Sequence, residues 1–82
     1  MKVKVFTRDG CVYCPQVKKF LDYKGVQYEE VSAIDNPEYD KMGYATVPVT
    51  VYDGLISVGY NAQALTELAK RWKENHDPQP PS

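Results

Sequence analysis

An α/β domain, with a mixed four-stranded sheet covered by helices in the order βαβαββα, is predicted by three features of the chain. Strand-like and helix-like segments alternate along its first half. Two short β-branched or apolar runs near residue 50 are separated by Asp53-Gly54, a pair suited to a tight hairpin turn. The full length of 82 residues leaves room for one core and no second domain.

Residues Lys2 to Thr7 place Val3, Val5 and Thr7 on one side and Lys2, Lys4 and Phe6 on the other, the period of a strand. Arg8-Asp9-Gly10 reads as a turn. From Val12 to Lys24 the pattern is helical: Val17, Phe20, Leu21 and Lys24 share a face, and the lysine stem covers the end of the apolar stripe. Gly25 suits the helix C-terminus. Gln27 to Ser32 reads as a second strand, and Asn36-Pro37 as an N-cap and first-turn proline opening a short helix to about Met42. Val47 to Tyr52 is the strongest strand signal, and Leu55 to Val58 returns antiparallel. The last helix spans about Ala62 to Glu74, with Asn61 as its N-cap and Leu65, Leu68, Ala69 and Trp72 on one face. Residues 1–76 thus form the domain, and the Pro-rich stretch 77–82 reads as a flexible tail. The first two strands, joined through a helix, are expected to be parallel with a right-handed crossover.

Composition narrows the function classes. Lys plus Arg number 10 against 11 Asp plus Glu, a formal net charge of −1. That balance supplies no general attraction to nucleic acid or to an anionic membrane. No apolar run approaches the roughly 20 residues that span a bilayer, and the N-terminus lacks the apolar block of a signal peptide. The expected setting is the cytoplasm, as a monomer. Apolar residues make up 43% of the chain, which favours a partner surface or shallow groove over a deep cavity.

The chemistry-bearing motif is Cys11-Val12-Tyr13-Cys14, placed after a strand and before a helix. Two intervening residues bring both sulfurs to the first turn, where a disulfide forms and breaks with little backbone motion. The helix N-terminus offers positive partial charge and free N–H donors, which stabilise a thiolate and lower its pKa. Cys11 is expected to be the exposed nucleophile and Cys14 the resolving thiol. Arg8, just before the site, adds positive charge toward the thiolate or an anionic partner. Tyr13, between the cysteines, is expected to be exposed and to contact substrate. Two other readings stand beside this one: half of a zinc or iron–sulfur site, or a structural cysteine pair. Zinc usually takes four protein ligands, and the chain offers one histidine, His76, and no further cysteine. No metal site is therefore expected. Thr46-Val47-Pro48 is a second constellation, whose plain reading is proline at a strand edge.

Taken together, Phe6-Thr7-Arg8-Asp9-Gly10-Cys11-Val12-Tyr13-Cys14, Thr46-Val47-Pro48 and the Gly59-Tyr60 turn resemble the glutaredoxin family, over about residues 2 to 74. The element order is similarly that of a minimal thioredoxin-like fold. The resemblance implies a thiol–disulfide oxidoreductase without a prosthetic cofactor. It also implies a cis bond before Pro48, with the Thr46-Val47-Pro48 loop facing the cysteines, and Val12, Gly59 and Tyr60 beside them in the substrate groove. The nearest branch looks like the glutaredoxin-like NrdH-redoxins, which implies thioredoxin reductase as electron source and ribonucleotide reductase, or another disulfide-containing protein, as client. Val12 is like that branch and Tyr13 like ordinary glutaredoxins; Gly59-Tyr60 follows the NrdH turn, whereas Asn61-Ala62-Gln63 does not. Glutathione as co-substrate therefore stands as the alternative electron source.

Overall fold

Strand β1, Val3–Thr7, runs through the middle of the sheet in the computed structural model, which describes residues 2–76. Helix α1, Cys14–Tyr23, returns the chain to β2, Tyr28–Ser32, which pairs parallel to β1 from Val3 opposite Tyr28 to Thr7 opposite Ser32. Helix α2, Pro37–Met42, leads to β3, Val49–Tyr52, antiparallel to β1 with Phe6 opposite Val49. β4, Leu55–Val58, pairs antiparallel with β3, and α3, Ala62–His76, closes the chain. The sheet order is β2-β1-β3-β4, a mixed four-stranded sheet with helices packed on it. Asp53 and Gly54 both take positive φ, 48° and 81°, the pattern of a two-residue type I′ turn.

Both faces of the sheet are used. Val3, Val5 and Tyr52 meet Val17 and Leu21 of α1 and Leu65, Leu68 and Ala69 of α3 in the larger core. Phe6 lies on the opposite face, fully buried with Val49, Ala33 and Tyr39 of α2 in a smaller one. The side of β1 that carries Lys2 and Lys4 is thus a packed face at its Phe6 end. Trp72 packs against the larger core, as its helical spacing with Leu65 and Leu68 predicts. The Lys24 ammonium sits 5.6 Å from the Phe20 ring centroid and 5.8 Å from that of Tyr23, a cation–π contact at the end of the stripe.

Five boundaries differ from the sequence expectations. Helix α1 begins at Cys14 and not at Val12, because Pro15 occupies its first turn while Cys11 closes a preceding turn by donating its N–H to the Arg8 carbonyl. It ends at Tyr23, with Lys24 as the C-cap. β3 begins at Val49, since Pro48 has no N–H to offer the ladder. β2 starts one residue late, at Tyr28, and α3 continues to His76, two residues beyond Glu74. The expected tail, 77–82, lies outside the described residues.

Candidate active site

Chain direction gathers the site at one end of the sheet. β1 and β2 finish there, and the antiparallel register brings the start of β3 and the end of β4 to the same edge: Phe6 faces Val49, and Val49 faces Val58. The cysteine turn after β1, the Thr46-Val47-Pro48 segment before β3 and the Gly59-Tyr60 turn after β4 therefore share this end. The carboxyl ends of parallel strands are where open α/β sheets present their crevices. Lys4 and Tyr28 lie toward the opposite end. The Lys4 ammonium titrates above its ordinary value because it hydrogen-bonds and ion-pairs with Glu38, and burial pushes the Tyr28 phenol up.

Cys11 and Cys14 are joined as a disulfide, with sulfurs 2.17 Å and Cα atoms 5.5 Å apart. The backbone N–H of Cys14 donates to Cys11 Sγ at 3.1 Å. This N–H belongs to the first residue of α1 and has no helical partner of its own, so it is free to hold negative charge on that sulfur. No acidic residue stands in the first turn of α1 to oppose it. The two sulfurs are not equivalent. Cys14 is 4% exposed, whereas Cys11 is half-buried, beside Val12 at 74% and Tyr13 at 53% exposure. Cys11 is the more accessible of the two.

The Val47–Pro48 peptide bond is cis. Pro48 is buried, Val47 half-buried and Thr46 exposed. Backbone and side-chain donors hold the segment from two directions. Gly59, at φ +71°, turns the chain so that its N–H donates to the Pro48 carbonyl at 2.7 Å. From the other side, the Tyr39 hydroxyl donates to the Thr46 carbonyl. Sequence reasoning misses Tyr39, because no spacing rule marks a hydroxyl seven residues upstream as the partner of that loop.

Arg8 is exposed at this end of the sheet. Lys18 reaches Glu30 of β2 at 3.3 Å, and the same carboxylate accepts from the Thr7 hydroxyl at 3.1 Å. These contacts tie α1 to the two parallel strands just behind the cysteines. Tyr60 stands edge-on to Phe20, ring centroids 6.2 Å apart, and lines a groove of about 320 Å³ with Gln16, Lys19, Phe20 and Tyr23. Tyr60 is thus brought against the outer face of α1, and Tyr13 is not among the residues lining that groove. Asn61 accepts from the Ala64 N–H at 3.1 Å and caps α3, as the sequence predicts. Among the described residues, no group of three or more His, Cys, Asp or Glu is placed to hold a metal ion. No described helix is long and apolar enough to cross a membrane.

A thioredoxin-like sheet with a cysteine pair at its first strand-to-helix junction defines a small dithiol–disulfide redox protein. The chain belongs to the glutaredoxin family, whose model, described as Glutaredoxin, matches residues 3–56. It is 28% identical over 71 residues to the glutaredoxin-like protein NrdH of Lactococcus lactis, a match covering 82% of this chain and 99% of the relative. It is 32% identical to the Gene 56 protein of Mycobacterium phage D29, over 80% of each. Its fold is also that of the NrdH-redoxin from Escherichia coli, with a TM-score of 0.72 at 24% identity, covering 83% of this chain and 95% of that one. Membership of this family carries thiol–disulfide oxidoreductase chemistry in general, run by cysteines without a prosthetic group.

Proposed function

We propose that the protein is a dithiol electron carrier that reduces protein disulfides, in the manner of the NrdH-redoxins. The observation that carries this reading is the asymmetry of the pair: Cys11 is accessible and receives the Cys14 N–H, while Cys14, the first residue of α1, is buried. In the reduced protein, the Cys11 thiolate attacks one sulfur of the client disulfide, forming a mixed disulfide and releasing one client thiolate. Cys14, giving up its proton, then attacks Cys11 Sγ. This releases the second client thiolate and leaves the Cys11–Cys14 disulfide, two electrons having passed to the client. The Thr46-Val47-Pro48 loop pairs with the extended client segment as an added strand. Arg8, Val12, Tyr13, Gly59 and Tyr60 form the surrounding contact surface.

The client is a protein disulfide, that of ribonucleotide reductase in the first instance. Thioredoxin reductase is the electron source, the cytoplasm is the compartment, and the monomer is the working form. The chain's likeness to the Lactococcus NrdH protein over nearly its whole length supports this choice. So does the open, apolar surface at Val12 and Tyr13, which suits a protein partner.

Two measurements test the reading. Cys11→Ser is expected to abolish reduction of a protein disulfide, and Cys14→Ser to accumulate the mixed disulfide, seen by mass spectrometry; the reverse pattern would sink the assignment. Reduction of the oxidised protein is then followed with NADPH and thioredoxin reductase, and in parallel with glutathione and its reductase. Fast reduction by the first system is expected. Fast reduction by glutathione alone would make the protein a glutathione-dependent glutaredoxin.

A further inference from the structure

We propose that Tyr39 is a positioning residue for the client-binding loop, its hydroxyl fixing the Thr46 carbonyl and so the placement of Val47 beside the Cys11–Cys14 site. This inference rests on the dithiol-carrier reading and assigns it a residue outside the family motifs.

The Tyr39 ring is anchored before its hydroxyl does anything. Its backbone N–H donates to the Asn36 side chain that caps α2, at 3.3 Å. Its ring lies against Phe6, centroids 5.7 Å apart at 45°, and Phe6 is fully buried opposite the first residue of β3. Tyr39 itself is buried, so the hydroxyl projects from a fixed base to the Thr46 carbonyl. Between α2 and β3 the chain forms neither helix nor strand, and no ladder bond holds Thr46. The Tyr39 hydroxyl and the Gly59 N–H thus grip the two carbonyls on either side of Val47. The Val47 carbonyl accepts from the Thr46 hydroxyl at 3.5 Å, the far limit of a hydrogen bond.

The consequence concerns protein clients and not small disulfides. A client that pairs with the loop as a strand needs the Val47 backbone held at one height; a small disulfide needs only access to Cys11. Removing the hydroxyl leaves the ring, and with it the packing on Phe6. The Thr46 carbonyl is then free to turn to water, since Thr46 is exposed, and the loop loses its fixed height. A purely structural role would instead lower stability and leave discrimination between substrates unchanged.

The test compares wild type with Tyr39→Phe, both reduced beforehand with dithiothreitol and freed of it, in single-turnover reactions with insulin and, separately, with bis(2-hydroxyethyl) disulfide. For Tyr39→Phe, the rate constant with insulin is expected to fall about 3- to 10-fold, the range one hydrogen bond supports, with the small-disulfide rate within twofold of wild type. Amide exchange over residues 43–47 is expected to be faster in the variant. Equal loss on both substrates, or no loss on insulin, would overturn the proposal, as would unchanged exchange in that segment. Failure of the wild type itself to reduce insulin, with the small disulfide still reduced, would instead overturn the carrier reading on which it stands.

Discussion

Thr50 and Ser57 face one another across the β3–β4 pair, both buried beside the larger core, and neither hydroxyl has a hydrogen-bond partner among the described residues. A buried hydroxyl without a partner keeps its desolvation cost and gains nothing in return. Thr50→Val keeps the shape and β-branching that a strand favours while removing that cost. It is expected to raise stability by about 1 kcal/mol, read as a higher urea midpoint at unchanged slope. A lower midpoint would mean that the hydroxyl has a partner after all. The two cysteines and Pro48 are legible in the sequence because their chemistry is tied to residue type. Tyr39 is not, because its part depends on where α2 packs, and any tyrosine in an amphipathic segment looks the same before folding. Lys18 escapes for a similar reason: its partner Glu30 is brought near only by the β1–β2 pairing.

Every element is visible in order, and the two disagreements nearest the site fall at boundaries where proline sets the limit. Periodicity extends α1 back to Val12, but Pro15 fits only the first turn, so Cys11 and the two residues after it remain in a preceding turn. That offset matters chemically, because it leaves the Cys14 N–H free to point at Cys11 Sγ. Likewise Val47 and Pro48 continue the β-branched run in sequence but stand outside the ladder, as a loop. Asn61 shows the opposite case, in which a local signal suffices. Its side chain accepts from the Ala64 N–H at the third position of α3, and its carbonyl accepts from Leu65 at 2.9 Å. Asn61→Ala is therefore expected to cost about 1 kcal/mol, and Asn61→Gly only a few tenths. Urea titration of both variants checks this, and equal losses would show that the side chain contributes more than the cap.

At the scale of the whole molecule, the sequence order predicts the sheet, but periodicity and spacing alone do not place three separate segments at one end, which only the family resemblance implies. Their gathering follows from strand direction: two parallel strands end where an antiparallel hairpin starts and finishes. Nor is the second, smaller core legible, because Phe6 alternates with lysines until α2 covers it. What holds this arrangement together is burial far more than charge. The ion pairs, Lys2–Glu29, Lys4–Glu38, Lys18–Glu30 and Arg71 with Asp53 and Glu74, all have side chains at least a third exposed on one or both partners. Such pairs contribute about 0–1 kcal/mol each and weaken further in salt. Leu68, by contrast, is fully buried between α3 and the sheet, and truncating it to alanine removes about 2–5 kcal/mol. A domain of this length has total stability on the order of 5–10 kcal/mol, so Leu68→Ala is expected to consume a large share of it. Raising NaCl from about 0.05 to 1 M, which shortens the screening length to about 3 Å, is expected to move the unfolding free energy by less than about 1 kcal/mol. Urea unfolding of wild type and Leu68→Ala at both salt concentrations separates the two contributions. A salt effect as large as the Leu68→Ala loss would mean that the charge network, centred on Glu30 and Arg71, is what fastens the helices to the sheet.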